Sequence, residues 1–233
     1  MAMWNPWRGC KKCSDGCLYC YIHKGDAKRG VDTSIIEKTK DFSKPIEHLK
    51  NGNYKMKSGI IYTCFSTDFL IEEADAWRPD CWQMIKERED CTFLFPTKRI
   101  DRFMDCIPDD WGDGYENVVV CCTVENQKNA DYKLGIFSKL PIKHKCITAQ
   151  PLIEAIDIEK YLDGSELVSS AVNQIRMQDR STTLGCSISE SSASEKTCPS
   201  SSDSAERILS RKARNINYRR RICALRQEKL VLT

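Results

Sequence analysis

The order of apolar and polar positions divides residues 1–168 into short apolar runs separated by longer amphipathic segments. Five runs rich in β-branched and aromatic residues read as strands, the clearest at 59–64 (GIIYTC), 91–95 (CTFLF), 117–123 (NVVVCCT) and 144–148 (HKCIT). Between the first two, residues 74–89 gather Trp77, Cys81, Trp82, Met84 and Ile85 on one helical face. Residues 126–140 repeat the pattern with Ala130, Leu134 and Phe137, and Pro141 is expected to end that helix. Shorter helices are expected near 99–105 and 153–162.

Strands that alternate with helices pair in parallel through right-handed crossovers, and ligands of such sheets collect at the carboxyl ends of the strands. That rule selects Ser66 and Asp68, Lys98 and Arg99, Glu125 and Asn126, and Gln150 as pocket residues. Each has a plainer reading as well, since a polar residue just past a strand is often a helix cap or part of a solvated loop.

The chain has 233 residues, enough to bury a substantial core. Its first residues, MAMWNPWRG, lack the cationic start and apolar stretch of a signal peptide. No apolar run approaches the roughly 18 residues that span a bilayer. Fourteen cysteines without a leader suit a reducing cytoplasm, where the scattered ones would be small buried apolar residues. The net charge of +3 hides a division. Residues 169–233 hold 12 Lys and Arg against 6 Asp and Glu, whereas residues 1–168 hold 24 against 27. The body is therefore mildly acidic, and nucleic-acid binding by it is not indicated. A basic-tailed nucleic-acid binder would rest on the arginines of the tail alone.

The sharpest chemical signal is WNPWRGCKKCSDGCLYCY, with Cys10, Cys13, Cys17 and Cys20 in eleven residues, the last three spaced C-x3-C-x2-C. Three thiolates can hold three irons of a [4Fe–4S] cluster and leave the fourth iron open to a small molecule. Four thiolates also suit zinc, giving a structural zinc-binding interaction module without catalysis as the alternative. Structural zinc sites usually set their pairs about a dozen residues apart, against three here. A disulfide framework ranks last, because nothing points to an oxidising compartment.

The motif resembles the phage- and bacterium-associated gene-product 37/68 family, whose members look radical-SAM-like and open with WNPxxGC…SxGCxxCY. Here that signature is Trp4, Asn5, Pro6, Gly9, Cys10, Ser14, Gly16, Cys17, Cys20 and Tyr21. FSTDF at 65–69, TKR at 97–99, VEN at 124–126 and QPLIEAID at 150–157 continue the likeness across residues 1–168. The resemblance implies a partial (β/α) barrel of radical-SAM type, a [4Fe–4S] cluster and S-adenosylmethionine, with a substrate and an electron donor it does not identify. It implies Tyr19, Ser66, Asp68, Lys98, Glu125 and Gln150 around the cofactor, although Tyr19 reads equally well as a core or loop tyrosine. The family's C-x6-C-x2-C spacing selects Cys10, Cys17 and Cys20, whereas the general radical-SAM spacing selects Cys13, Cys17 and Cys20. The third ligand is thus open between Cys10 and Cys13. Gln150 stands where many relatives have Glu.

The chain changes character after Val168. Serine fills 12 of the 36 residues from 169 to 204, and arginines cluster from 207 to 226. The default reading is a disordered or irregular basic tail with no strand. A sharper one follows from codons chosen for residues 171–182, AVNQIRMQDRST. Read two bases later, the same bases encode GESDKNARPLD, which resembles the GGES…ARP segment expected of the family. This points to an out-of-frame tail from about residue 169, testable in the coding DNA, and to a truncated barrel whose activity is lost with its last strands.

Overall fold

The computed structural model describes residues 2–162, Ser165 and 167–170. Among the described residues the strands are β1 (Ala2–Trp4), β2 (Trp7–Arg8), β3 (Glu37–Lys38), β4 (Gly59–Thr63), β5 (Cys91–Thr97), β6 (Val118–Val124), β7 (His144–Ala149) and β8 (Leu167–Ser170). The helices are α1 (Tyr21–Lys28), α2 (Arg78–Glu87), α3 (Phe103–Cys106) and α4 (Gln127–Phe137). Six strands form one parallel sheet in the order β1-β4-β5-β6-β7-β8, while β2 and β3 pair as a small antiparallel ribbon. The order never reverses along the chain, so the sheet has none of the switch points of doubly wound folds. Among the described residues β1 and β8 are its edges and no barrel closes.

Register decides which side chains share a face. Ile61 pairs with Phe93, Phe95 with Val120, and Cys122 with Ile147. These residues are buried in one continuous core with Trp82 and Ile85 of α2, Phe103 of α3, and Leu134 and Phe137 of α4. Phe69 packs on Phe95 with ring centroids 4.7 Å apart, and Trp82 on Trp111 at 5.2 Å. The Trp82 indole donates to the Cys106 carbonyl at 2.7 Å, which satisfies its polar edge inside that core. The buried Arg88 guanidinium donates to the Met56 carbonyl at 2.8 Å and to the Pro45 carbonyl, tying the long segment before β4 to the body. The opposite face carries Tyr62, Leu94, Cys121, Thr123, Cys146 and Thr148, and it lines a cavity.

The expected strands agree with β4 to β7 within two residues at either end. Four differences have local causes. Strand β1 is three residues long, too short to leave a periodicity, and its partner is β4. Residues 74–77 precede α2 rather than belonging to it, because Pro79 suits a helix's first turn. Helix α4 stops at Phe137, ahead of Pro141, as its end tightens into Lys139–Ile136 and Leu140–Phe137 bonds. The helix expected at 153–162 is reduced to a 3-10 turn, Glu159–Tyr161. Its first half is irregular, with its backbone bonded elsewhere: Ile153 N donates to the Glu125 carbonyl at 2.8 Å, and Asp157 N to Gln127 Oε1 at 2.7 Å.

The tail expectation also needs one correction. Ser169 and Ser170 continue β8, paired with Thr148 and Ala149. A free parallel edge offers backbone donors and acceptors to any sequence able to lie extended, so serine content does not prevent the pairing. The remainder of the tail reading, from residue 171 onward, falls outside the described residues, as do Cys186, Cys198 and Cys223. The seven scattered cysteines from Cys64 to Cys146 are all buried, as expected of small apolar residues. Among the described residues no helix is long and apolar enough to cross a membrane.

Candidate functional site

The cysteine segment is laid across the carboxyl end of the sheet through close approaches at two glycines, Gly9 and Gly16. Gly9 has φ of +87°, and a Cβ there would stand 2.1 Å from the Ile35 carbonyl oxygen. Just beyond it, Cys10 N donates to the Thr33 carbonyl at 2.7 Å, and the Thr67 hydroxyl donates to the Gly9 carbonyl at 2.5 Å. A 3-10 turn, Asp15–Tyr19, then folds the chain so that Cys17 N donates to the Ser14 carbonyl at 3.0 Å. Inside that turn Gly16 touches the strand ends: a Cβ would lie 2.8 Å from Lys98 Nζ and 3.1 Å from both Glu125 Cβ and Pro151 Cδ.

Glu125 is the anchor of this contact. Its carboxylate, with no exposure, accepts from Lys133 Nζ at 3.2 Å, Asn129 Nδ2 at 3.0 Å and Gly16 N at 3.5 Å. Lys98 Nζ stands 3.7 Å away and also donates to the Gln150 carbonyl at 3.3 Å. Asn126, the N-cap of α4, accepts from Asn129 N at 2.8 Å and donates to Asp15 at 2.8 Å. Helix capping and loop docking are therefore served by one side chain.

Asp68 organises the other side. Its carboxylate accepts from the Thr97 hydroxyl at 2.8 Å, Lys98 N at 3.0 Å, Leu70 N at 3.0 Å and Arg99 Nη1 at 3.2 Å. Arg99 in turn donates to the Lys11 carbonyl at 2.6 Å and reaches Cys10 Sγ at 3.9 Å. One buried carboxylate thus fixes the strand end, the arginine and the first part of the cysteine segment together.

Between these anchors lies a cavity of about 380 Å³, within the usual size range of small-molecule sites. Cys10, Cys13, Cys17 and Cys20 line it together with Ser66, Asp68, Lys98, Arg99 and Gln150, so most of the residues expected from the sequence meet here. Glu125 sits beneath the lining and acts through Gly16 and Lys98. Tyr19 stands apart, half exposed, with Lys24 Nζ 5.8 Å from its ring centre. The sheet's contribution, including Tyr62, Cys121, Thr123, Cys146 and Thr148, was not marked by sequence, because the apolar run NVVVCCT carries no alternation to separate its faces. Nor was His23 of α1, whose Nε2 is buried at the cavity without a hydrogen-bond partner among the described residues.

The four thiols are free rather than paired as disulfides. Burial, with Asp68 nearby, pushes the Cys10 thiol up to about 12 against the opposing pull of Arg99. Cys13 hydrogen-bonds to Cys17, which brings the Cys17 thiol down to about 4 and raises that of Cys13. Ser14 Oγ, 3.6 Å from Cys17 Sγ, helps to hold the thiolate. Among the described residues no three Cys, His, Asp or Glu side chains are grouped closely enough to hold a metal ion. The donor set is four reduced thiols on one loop around one cavity, with the Arg99 cation beside Cys10, and thiolates are ligands of both zinc and iron–sulfur clusters.

Residues 1–212 match the family described as "Protein of unknown function (DUF5131)". The chain belongs to that family. The matched span takes in every described residue and runs past Val168 into the serine-rich stretch. No curated protein and no solved structure matches the chain.

Proposed function

We propose that the chain is a radical-SAM-type iron–sulfur protein built on a partial (β/α) barrel, with the cavity at the sheet's carboxyl end as its cofactor site. The observation that carries this reading is the meeting of all four motif cysteines in one cavity at that end of a parallel sheet whose strand order never reverses. Sequential parallel order is the order of a (β/α) barrel, and such barrels place their chemistry at this end. Cys17 and Cys20 would hold a [4Fe–4S] cluster together with Cys10 or Cys13. When bound, that cluster supplies an open iron for S-adenosylmethionine and an electron for cleaving its sulfonium bond.

The chain's own residues have narrower tasks. Asp68 and Arg99 hold the Cys10 end of the loop, and Glu125 with Lys98 holds the Cys17 end. The apolar floor of Tyr62, Leu94 and Pro96 limits water around the occupant. Anaerobic reconstitution tests the reading. About four irons and four sulfides per chain with charge-transfer absorbance are expected, lost together in Cys17→Ala and Cys20→Ala. One tightly held zinc and no colour would replace this reading with a structural zinc module.

A further inference from the structure

The cavity holds a second pair of thiols that the cluster does not use. Cys121 on β6 and Cys146 on β7 are register partners on neighbouring parallel strands, and both line the cavity floor. Neighbouring strands lie about 4.8 Å apart, within the roughly 4.4–6.8 Å between Cα atoms that a disulfide spans. Cys122, the next residue along, points to the other face and is buried in the helix-packed core.

The pair is asymmetric. The Thr148 hydroxyl stands 3.8 Å from the Cys146 sulfur, where it can donate to a thiolate, and the neighbouring Cys121 thiol holds Cys146 below the ordinary thiol range. An activated thiol beside a second thiol is the arrangement of an attacking cysteine and its resolving partner. Both residues are almost fully buried yet line the cavity, so the reagent that suits them is a small oxidant entering the cavity, not a bulky peptide disulfide.

We propose that Cys121 and Cys146 form a peroxide-reactive dithiol on the cavity floor, with Cys146 attacking and Cys121 resolving. The Cys146 sulfur attacks one oxygen of hydrogen peroxide and the O–O bond breaks. The departing hydroxide regains the proton that Cys146 gave up and leaves as water, so Cys146 becomes a sulfenic acid. The Cys121 sulfur then attacks the Cys146 sulfur, an S–S bond forms, and the displaced hydroxide leaves with the Cys121 proton as a second water. Both thiols are oxidised by two electrons in total, and one peroxide is reduced to two waters. The new bond ties β6 to β7 beneath the cysteine loop.

The test uses the reduced full chain, treated with hydrogen peroxide, quenched with an alkylating agent, digested and mapped by mass spectrometry. Fragment ions that separate Cys121 from Cys122 are essential. A Cys121–Cys146 link, two hydrogens lighter and reversed by dithiothreitol, is expected. In Cys121→Ser, dimedone should trap a sulfenic acid at Cys146. A link through Cys122, pairing of Cys146 with one of the four N-terminal cysteines, or a pair left reduced while those four are oxidised overturns the proposal. The wild-type map decides the question even where the serine variant fails to fold. No readout involves iron, so this result is independent of the cluster reading.

Discussion

Replacing Lys133 by Met isolates the electrostatic anchor of the cysteine loop. Glu125 has no exposure, and Lys133, itself buried on α4, is its nearest cation at 3.2 Å. Removing one partner of a buried pair costs about 3–5 kcal/mol, because the other charge is left in a medium that solvates it poorly. The low end, about 3 kcal/mol, applies here. Asn129 and Gly16 still donate to the carboxylate, Lys98 stands 3.7 Å away, and Met fills the space of the lysine stem. In a unit of this size such a loss lowers the melting temperature by about 6–12 °C. Urea titration at pH 8 measures it. The double variant with Glu125→Gln, which has no charge to strand, should recover most of the loss at pH 8. A deficit below about 1 kcal/mol at pH 8, the range of an exposed pair, would refute the reasoning.

Two further substitutions probe the loop and the core. Gly16→Ala places a methyl group 2.8 Å from Lys98 Nζ, which can swing aside, and 3.1 Å from Pro151 and Glu125, which cannot. A loss of about 1–3 kcal/mol in urea unfolding is expected, with faster amide exchange across residues 14–18; unchanged exchange would show that Gly16 does not dock the loop. Trp82→Phe keeps most of the aromatic packing but strands the Cys106 carbonyl, so about 1–3 kcal/mol should disappear at an unchanged urea m-value.

The cysteine motif was legible because its chemistry lies in local spacing. The strand ends were legible because parallel sheets gather ligands at one end, a rule that needs only element order. Ser66, Asp68, Lys98, Arg99 and Gln150 accordingly meet in the cavity. Glu125 was found as well, though its place under Gly16 depends on the docking of a loop 109 positions away. The segment at 153–158 reads as helix from its apolar spacing but is irregular. Contacts to Gln127 and Glu125, which no local pattern announces, outweigh that spacing.

By itself the sequence determined the elements whose free energy is local or periodic: strands β4 to β7, the apolar faces of α2 and α4, the Asn126 cap and the cluster-like run of thiols. Tertiary structure alone decided what depends on register and approach. It paired the three-residue β1 with β4, turned Cys121 and Cys146 toward the cavity and Cys122 away from it, and set Lys133 under Glu125. The physical reason is the two-residue period of a strand: in a run as uniformly apolar as VVVCC, composition leaves the two faces equal, and only neighbouring strands and the helices packed on one side make them different.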